Sequence, residues 1–277
     1  MIICKELEKS FKTKEELFDA LRVSKKEIIG IKKAQILKSF EKDSNITIKV
    51  KPLDATKLST VVKDIDFDDN YYYIAVNSTR ILDSHRDLHL DKLWNKSVKD
   101  LQGKNYLVDT HILSMNTTIV RKENIEMLTA IVPFSMIGKN YKGETEILIY
   151  KFHKDKIINA VAKEWLQSGD AIEASVKMRY TDIVLAMNSQ AKEDKEELKN
   201  YNNYIDIIAN KEDFEDDIYY FWAVKQAQNL QESSLVLFGS NHVTGTIQEN
   251  KNEQSDDTQK TEAEKSLQER KEYLLNN

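Results

Sequence analysis

Between Ala171 and Tyr180 the chain reads AIEASVKMRY, with apolar Ile172, Ala174, Val176 and Met178 alternating against Glu173, Ser175, Lys177 and Arg179. A period of two predicts a half-buried strand with one apolar and one polar face. Ser175 then stands on the polar face, either as an ordinary strand serine or as a nucleophile held on rigid backbone and open to substrate. The runs ITIKV, YYYIAVNS, NTTIV, IEMLTAIVPF and QESSLVLF also have strand character. The turn Arg121 to Asn124 between NTTIV and IEMLTAIVPF predicts a hairpin.

Helical patterning frames these runs. Thr13-Lys14-Glu15-Glu16 and Ser24-Lys25-Lys26-Glu27 both fit the capping box and each precedes an apolar run, which predicts two short helices between Lys5 and Lys42. A further helix is expected where Asp155 can cap a stripe of Ile157, Ile158, Val161, Ala162, Trp165 and Leu166, with Gly169 in the place of a C-terminal glycine. After Met187 a charged stretch reads as a helical excursion before QESSLVLF closes the domain. The pattern gives an α+β protein in three parts: a helical N-terminal extension over 1–45, a β-rich domain over 46–247, and an acidic tail over 248–277. That tail carries five Lys/Arg against eight Asp/Glu and little apolar surface, and is expected to be disordered.

Composition narrows the function classes. With a net charge of -5 the chain offers no basic field for nucleic acid, and no apolar run approaches the ~18 residues that span a bilayer. A soluble, intracellular protein is expected, without membrane or nucleic-acid partners. Cys4 is the only cysteine, so an intrachain disulfide and a multi-cysteine metal site are excluded. Residues 1–42 hold 11 Lys/Arg against 7 Asp/Glu, a surplus that could dock an acidic partner but is more simply a solvated helix face.

A serine nucleophile needs a base, normally histidine, and a third group that fixes the histidine tautomer. His85 and His89 lie in the polar loop LDSHRDLHLD with Asp83, Asp87 and Asp91, His153 ends a strand, and His242 lies beside the closing strand. His111 alone follows an apolar approach, Tyr106 to Val108, and precedes another β-rich run; on placement alone a satisfied structural histidine is the commoner case. The loop histidines and aspartates are donors that zinc or manganese accept, but turn-capping aspartates are the favoured reading, so no metal and no cofactor is expected.

Four pieces in order carry a resemblance: IAVNSTRILDSHRDLH with Asp83 and Asp87, YLVDTHI with His111, AVAKEWLQSGDAIEASVKMRY with Ser175, and NLQESSLVLFGSN with Glu232. From Tyr71 to Ile247 this order resembles the prohead maturation proteases of tailed bacteriophages, a serine protease family similar in its barrel to the herpesvirus assemblins. The resemblance implies a β-barrel-like core with surrounding helices, in which Ser175 is nucleophile, His111 base and Glu232 the third member. Asp109, two residues before His111, and His153, by analogy with the second histidine of the assemblins, remain alternatives for the third place, and Arg179 is a further candidate to aid an oxyanion. Where the family has glycine two residues after its serine this chain has Lys177, and it has Phe238-Gly239-Ser240-Asn241 where the family commonly carries proline.

The implied biology is cleavage of scaffold protein, or of the scaffold-like segment of the major capsid protein, inside the immature capsid in the host cytoplasm, together with autoprocessing. A homo-oligomer is left open. The rival from another class is an inert assembly protein that keeps the fold and binds scaffold or capsid protein, which Lys177 favours; a metal-dependent hydrolase using His85 and His89 ranks third.

Overall fold

The structure is a computed structural model that describes residues 1–38, 48–50, 52–62, 65, 67–168, 172–214 and 217–236. Strands β1 (Ile2–Cys4) and β2 (Lys9–Phe11) form an antiparallel hairpin that leads into helix α1 (Lys14–Ala34). Thr13 Oγ1 accepts from the Glu16 amide at 3.2 Å and Glu16 Oε2 accepts from the Thr13 amide at 3.4 Å, so the first capping box forms as its sequence predicts. The second does not. Ser24 lies inside α1, which runs on as one helix where two were expected. Leu17, Phe18, Leu21 and Ile28 continue a single buried stripe past Ser24. A new start there would unpair amides that the continuous helix keeps bonded. The hairpin before α1 was unforeseen because strands of three residues are too short to set a period.

Part of the basic face of α1 is engaged within the fold, at Arg22 and Lys25, while Lys14 and Lys26 are exposed. Arg22 places Nε 2.6 Å and Nη2 2.7 Å from the two carboxylate oxygens of Asp194, and Lys25 Nζ lies 2.5 Å from Glu197 Oε1. Asp194 is fully buried and also accepts from Ser189 Oγ; the Arg22 hydrogen bonds hold its carboxyl below the usual range. Arg22→Ala should therefore destabilise the fold by about 2–4 kcal/mol by stranding a buried carboxylate, whereas Asp19→Ala, which removes an exposed partner of the same arginine, should cost less than about 1 kcal/mol. Urea unfolding midpoints at pH 7 compare the two.

The remaining elements are β3 (Leu37–Lys38), β4 (Ile48–Val50), α2 (Ala55–Val61), β5 (Tyr71–Ser78), β6 (Asp87–His89), α3 (Asn95–Asp100), β7 (Tyr106–Asp109), β8 (Thr118–Val120), β9 (Glu126–Pro133), β10 (Glu144–His153), α4 (Ala160–Ser168), β11 (Ile172–Met187), α5 (Lys195–Tyr204) and β12 (Tyr220–Val236). The fold is α+β. Besides the hairpin there is a sheet of order β5-β10-β9 and a larger one of order β3-β11-β12-β7-β8, with β4 beside β11 and β6 beside β12. Both contribute to one core, in which Val76, Leu148 and Tyr150 from the first meet Ala174, Val176 and Val224 from the second.

The expected hairpin of NTTIV with IEMLTAIVPF does not form. β8 pairs with β7, β9 pairs with β10 over eight residue pairs, and a 3-10 turn at Lys122–Asn124 carries the chain from one sheet to the other. The helix expected from Asp155 begins later. Ile157 bridges to Val120 and the Ile158 amide donates to Ile119, so this stretch is spent on β8, and Asn159 Oδ1 takes the Ala162 amide at the start of α4. β12 is much longer than QESSLVLF, beginning at Tyr220. Gly169, His242, the Phe238 to Asn241 turn and the acidic tail lie outside the described residues. Among the described residues no helix is long and apolar enough to cross a membrane.

Candidate active site

β11 and β12 lie antiparallel with Ser175 opposite Ser234, and β7 runs parallel on the far side of β12 with Tyr106 opposite Glu232. Period two puts Glu232 and Ser234 on one face of β12, the face onto which Ser175 projects. β7 ends at Asp109, and the next two residues deliver the histidine. Thr110 and His111 both adopt left-handed backbone, φ 50° and 56°. For a β-branched residue this is strained, on the order of 1–3 kcal/mol per residue, and strain of this kind collects at functional sites. Here it is held in place by β12, because the Thr110 amide donates to the Leu235 carbonyl at 3.2 Å and the His111 amide to Ser234 Oγ at 2.9 Å.

The turn folds the imidazole back over β12, between the two partners that the resemblance implies for it. His111 Nε2 is 2.5 Å from Ser175 Oγ, and Nδ1 is 2.9 Å from Glu232 Oε2 and 3.2 Å from Oε1. An ionised carboxylate only accepts, so beside one Nδ1 is the donor, and a neutral ring then leaves the Nε2 lone pair facing the serine hydroxyl. The His111 and Glu232 side chains are 1% and 0% exposed. In water-poor surroundings the carboxylate acts strongly on the ring.

One expectation about Ser175 fails. It was placed on an open polar face, yet it is completely buried. The polar face of β11 turns inward at this point, where Ser175 packs beneath His111 and beside Ser234, and the alternation then marks two different buried environments instead of core and solvent. Lys177 follows on the same face. Between the pairs Val176–Ser233 and Met178–Asn229 the register shifts, so Lys177 alone spans the interval that takes Leu230, Gln231 and Glu232 on β12, and Gln231 sits at φ 64°. Such a bulge re-aims side chains. Lys177 Nζ comes within 3.8 Å of Glu232 Oε1. Behind the bulge, Asn229 donates to Tyr150 Oη and Ser233 Oγ and accepts from Asn105, a buried network that fixes the β12 backbone on its other side.

The other candidates stand apart from this chain of contacts. Asp109 is exposed, and the carboxylate on His111 is that of Glu232. His153 accepts from the Asp155 amide and meets Tyr71 edge to face. Arg179 is exposed and donates to Gln228. In the loop of His85 and His89, Asp83 Oδ1 caps its own turn by accepting the His85 and Asp87 amides, Asp87 pairs with Lys32, and Asp91 pairs with Arg80. Among the described residues no group of three or more His, Cys, Asp or Glu side chains has the arrangement of a metal site.

His89 is buried with Nε2 3.0 Å from Tyr180 Oη, and burial pushes its imidazole down to about 4. A histidine held neutral by the fold contributes stability that is present above the unfolded value, near 6.5, and lost as pH falls toward 4. Relative to wild type, His89→Phe should therefore gain on the order of 3 kcal/mol between pH 6.5 and 4, with the two curves parallel above pH 7. Denaturant titrations at a series of pH values test this. Asp83 and Asp87, both raised by burial, act in the opposite sense in both proteins.

No family model matches the chain, and no curated protein or solved structure matches it. Two residues of the site went unnamed as such in the sequence. Ser234 shares the parity of Glu232 and could have been found from it. The ion pair of Lys177 depends on the bulge, which no local pattern announces.

Proposed function

We propose that the chain is a serine endopeptidase of the prohead maturation type, with a barrel-like core, acting on scaffold protein or the scaffold-like segment of a major capsid protein within the immature capsid. The observation that carries the catalytic part is the continuous contact from Ser175 Oγ through the His111 ring to the Glu232 carboxylate, at 2.5 and 2.9 Å, assembled from three segments far apart in sequence. The substrate and the capsid setting rest on the resemblance alone.

In this mechanism Ser175 Oγ attacks the scissile carbonyl while its proton passes to His111 Nε2. Glu232 accepts from Nδ1 throughout and stabilises the imidazolium. His111 then gives the proton to the departing amine, leaving an acyl-enzyme on Ser175. Water, deprotonated by the same nitrogen, releases the acid and restores the serine.

The full burial of Ser175 supports a second reading, an inert assembly protein that has kept the fold. Co-expression with cognate capsid and scaffold proteins, followed by mass spectrometry of the fragments, decides between them. The protease gives defined internal cuts that vanish with Ser175→Ala. The assembly protein gives the same fragments, or none, from both forms.

A further inference from the structure

Glu232 is a fully buried carboxylate, and the contacts around it raise a charge question that a serine, a histidine and a glutamate alone leave unanswered. For His111 to accept the serine proton it must be neutral at rest. A buried carboxylate beside a neutral ring is an uncompensated charge, and the least costly remedy is to draw a proton onto that ring. The base would then be spent before the reaction began.

We propose that Lys177 is a positioning residue whose ammonium supplies the missing counter-charge, keeping Glu232 ionised while His111 stays neutral. Among the described residues the charged group that meets Glu232 from β11 is Lys177, at 3.8 Å; β12 contributes Glu232 itself and the neutral Ser234, the turn after β7 contributes His111, and β10 brings the hydroxyl of Tyr150, which burial and the Glu232 charge keep neutral. Lys177 reaches the carboxylate because the bulge at Gln231 widens the interval of β12 across from it. Its own desolvation is limited: the side chain is 21% exposed and lines a cavity of about 560 Å³, together with Lys104, Arg179 and Gln228. The resting cluster is thereby neutral. Proton transfer makes it positive just as the tetrahedral oxyanion appears, so the two developing charges are of opposite sign.

The residue that departs from the resemblance thus takes a place in the site, and its catalytic consequence rests on the protease reading above. The test compares wild type, Lys177→Met, Lys177→Gln and Lys177→Arg in the whole chain, with nitrogen-15 in the histidine rings. At pH 7 the His111 nitrogens of wild type and Lys177→Arg should show a neutral, Nδ1-protonated ring. Those of Lys177→Met and Lys177→Gln should show a ring protonated on both nitrogens. The rate of Ser175 modification by a fluorophosphonate should fall about tenfold in Met and Gln variants and recover in Lys177→Arg, since one unit of protonation free energy is a tenfold change in the competent fraction. Ring signals unchanged in both neutral variants overturn the proposal. Ring signals that change as expected in a protein whose Ser175 never reacts uphold the counter-charge and defeat the protease reading instead.

Discussion

Ser175→Ala is expected to lower hydrolysis of a scaffold-derived peptide by about 10⁴-fold or more, His111→Ala to match it, and the double variant to be no worse than either. On the proposed mechanism Oγ and Nε2, 2.5 Å apart, act as one proton-transfer unit, so deleting the second member of a unit already broken removes nothing further. Glu232→Gln should still leave measurable activity, with a loss on the order of 10⁴, because an amide keeps the shape but neither fixes the tautomer nor stabilises the imidazolium. Asp109→Asn and His153→Ala should stay within about twofold of wild type, one side chain being exposed and the other engaged with Tyr71 and the Asp155 amide. Steady-state kinetics on one peptide measure all of these. A dead His153→Ala beside an active Glu232→Gln would mean that the third member has been misassigned. Folding is not expected to suffer in Ser175→Ala, since the variant removes one oxygen from a site that keeps its backbone pairing.

Lys32→Met should be the most damaging single change to stability, by about 3–5 kcal/mol, because it leaves buried carboxylates without their cation. Lys32 leaves α1 to enter the core, where Nζ lies 2.5 Å from Asp87 Oδ1, 3.2 Å from the His85 carbonyl and 3.8 Å from Glu6 Oε1. Burial opposes the lysine charge, but Asp87 and Glu6 more than offset it and hold the ammonium above its ordinary range. Glu6 is bound in turn by Trp222 Nε1 at 2.6 Å and Tyr220 Oη at 2.9 Å, so this cluster ties the N-terminal hairpin and α1 to β12. Lys32→Met with Asp87→Leu should recover much of the loss, since the stranded charge is removed along with its partner. Denaturant unfolding of the two single variants and the double, followed by tryptophan fluorescence, gives the coupling. Additive losses would show that the pair is not the source of the effect.

The legible parts of the fold were those whose signal is local. The alternation of Ile172, Ala174, Val176 and Met178 is carried by β11 as read, and Thr13 caps α1 because a capping box needs only four consecutive residues. What escaped was set by pairing at a distance. NTTIV and IEMLTAIVPF have the composition of a hairpin, yet β8 finds β7 and β9 finds β10, because register is decided by which buried faces meet. Ile157 and Ile158 fit a helical stripe and are used by β8 instead. The site was legible in the same divided way. Ser175, His111 and Glu232 could be named from residue type, strand parity and resemblance, and the structure brings these three together. The left-handed turn at Thr110 and His111, the burial of Ser175 and the ion pair of Lys177 all depend on how β12 lies between β7 and β11. None of them has a pattern within its own segment.

On the proposed mechanism Ser175 is an activated nucleophile. Intact-mass measurement of the full-length chain after exposure to a fluorophosphonate at pH 7.5, with peptide mapping of the adduct, tests it most directly. One adduct per chain, mapped to Ser175, absent from Ser175→Ala and strongly reduced in His111→Ala, is the result expected here. An unmodified wild-type chain, or equal modification of wild type and Ser175→Ala, would contradict it.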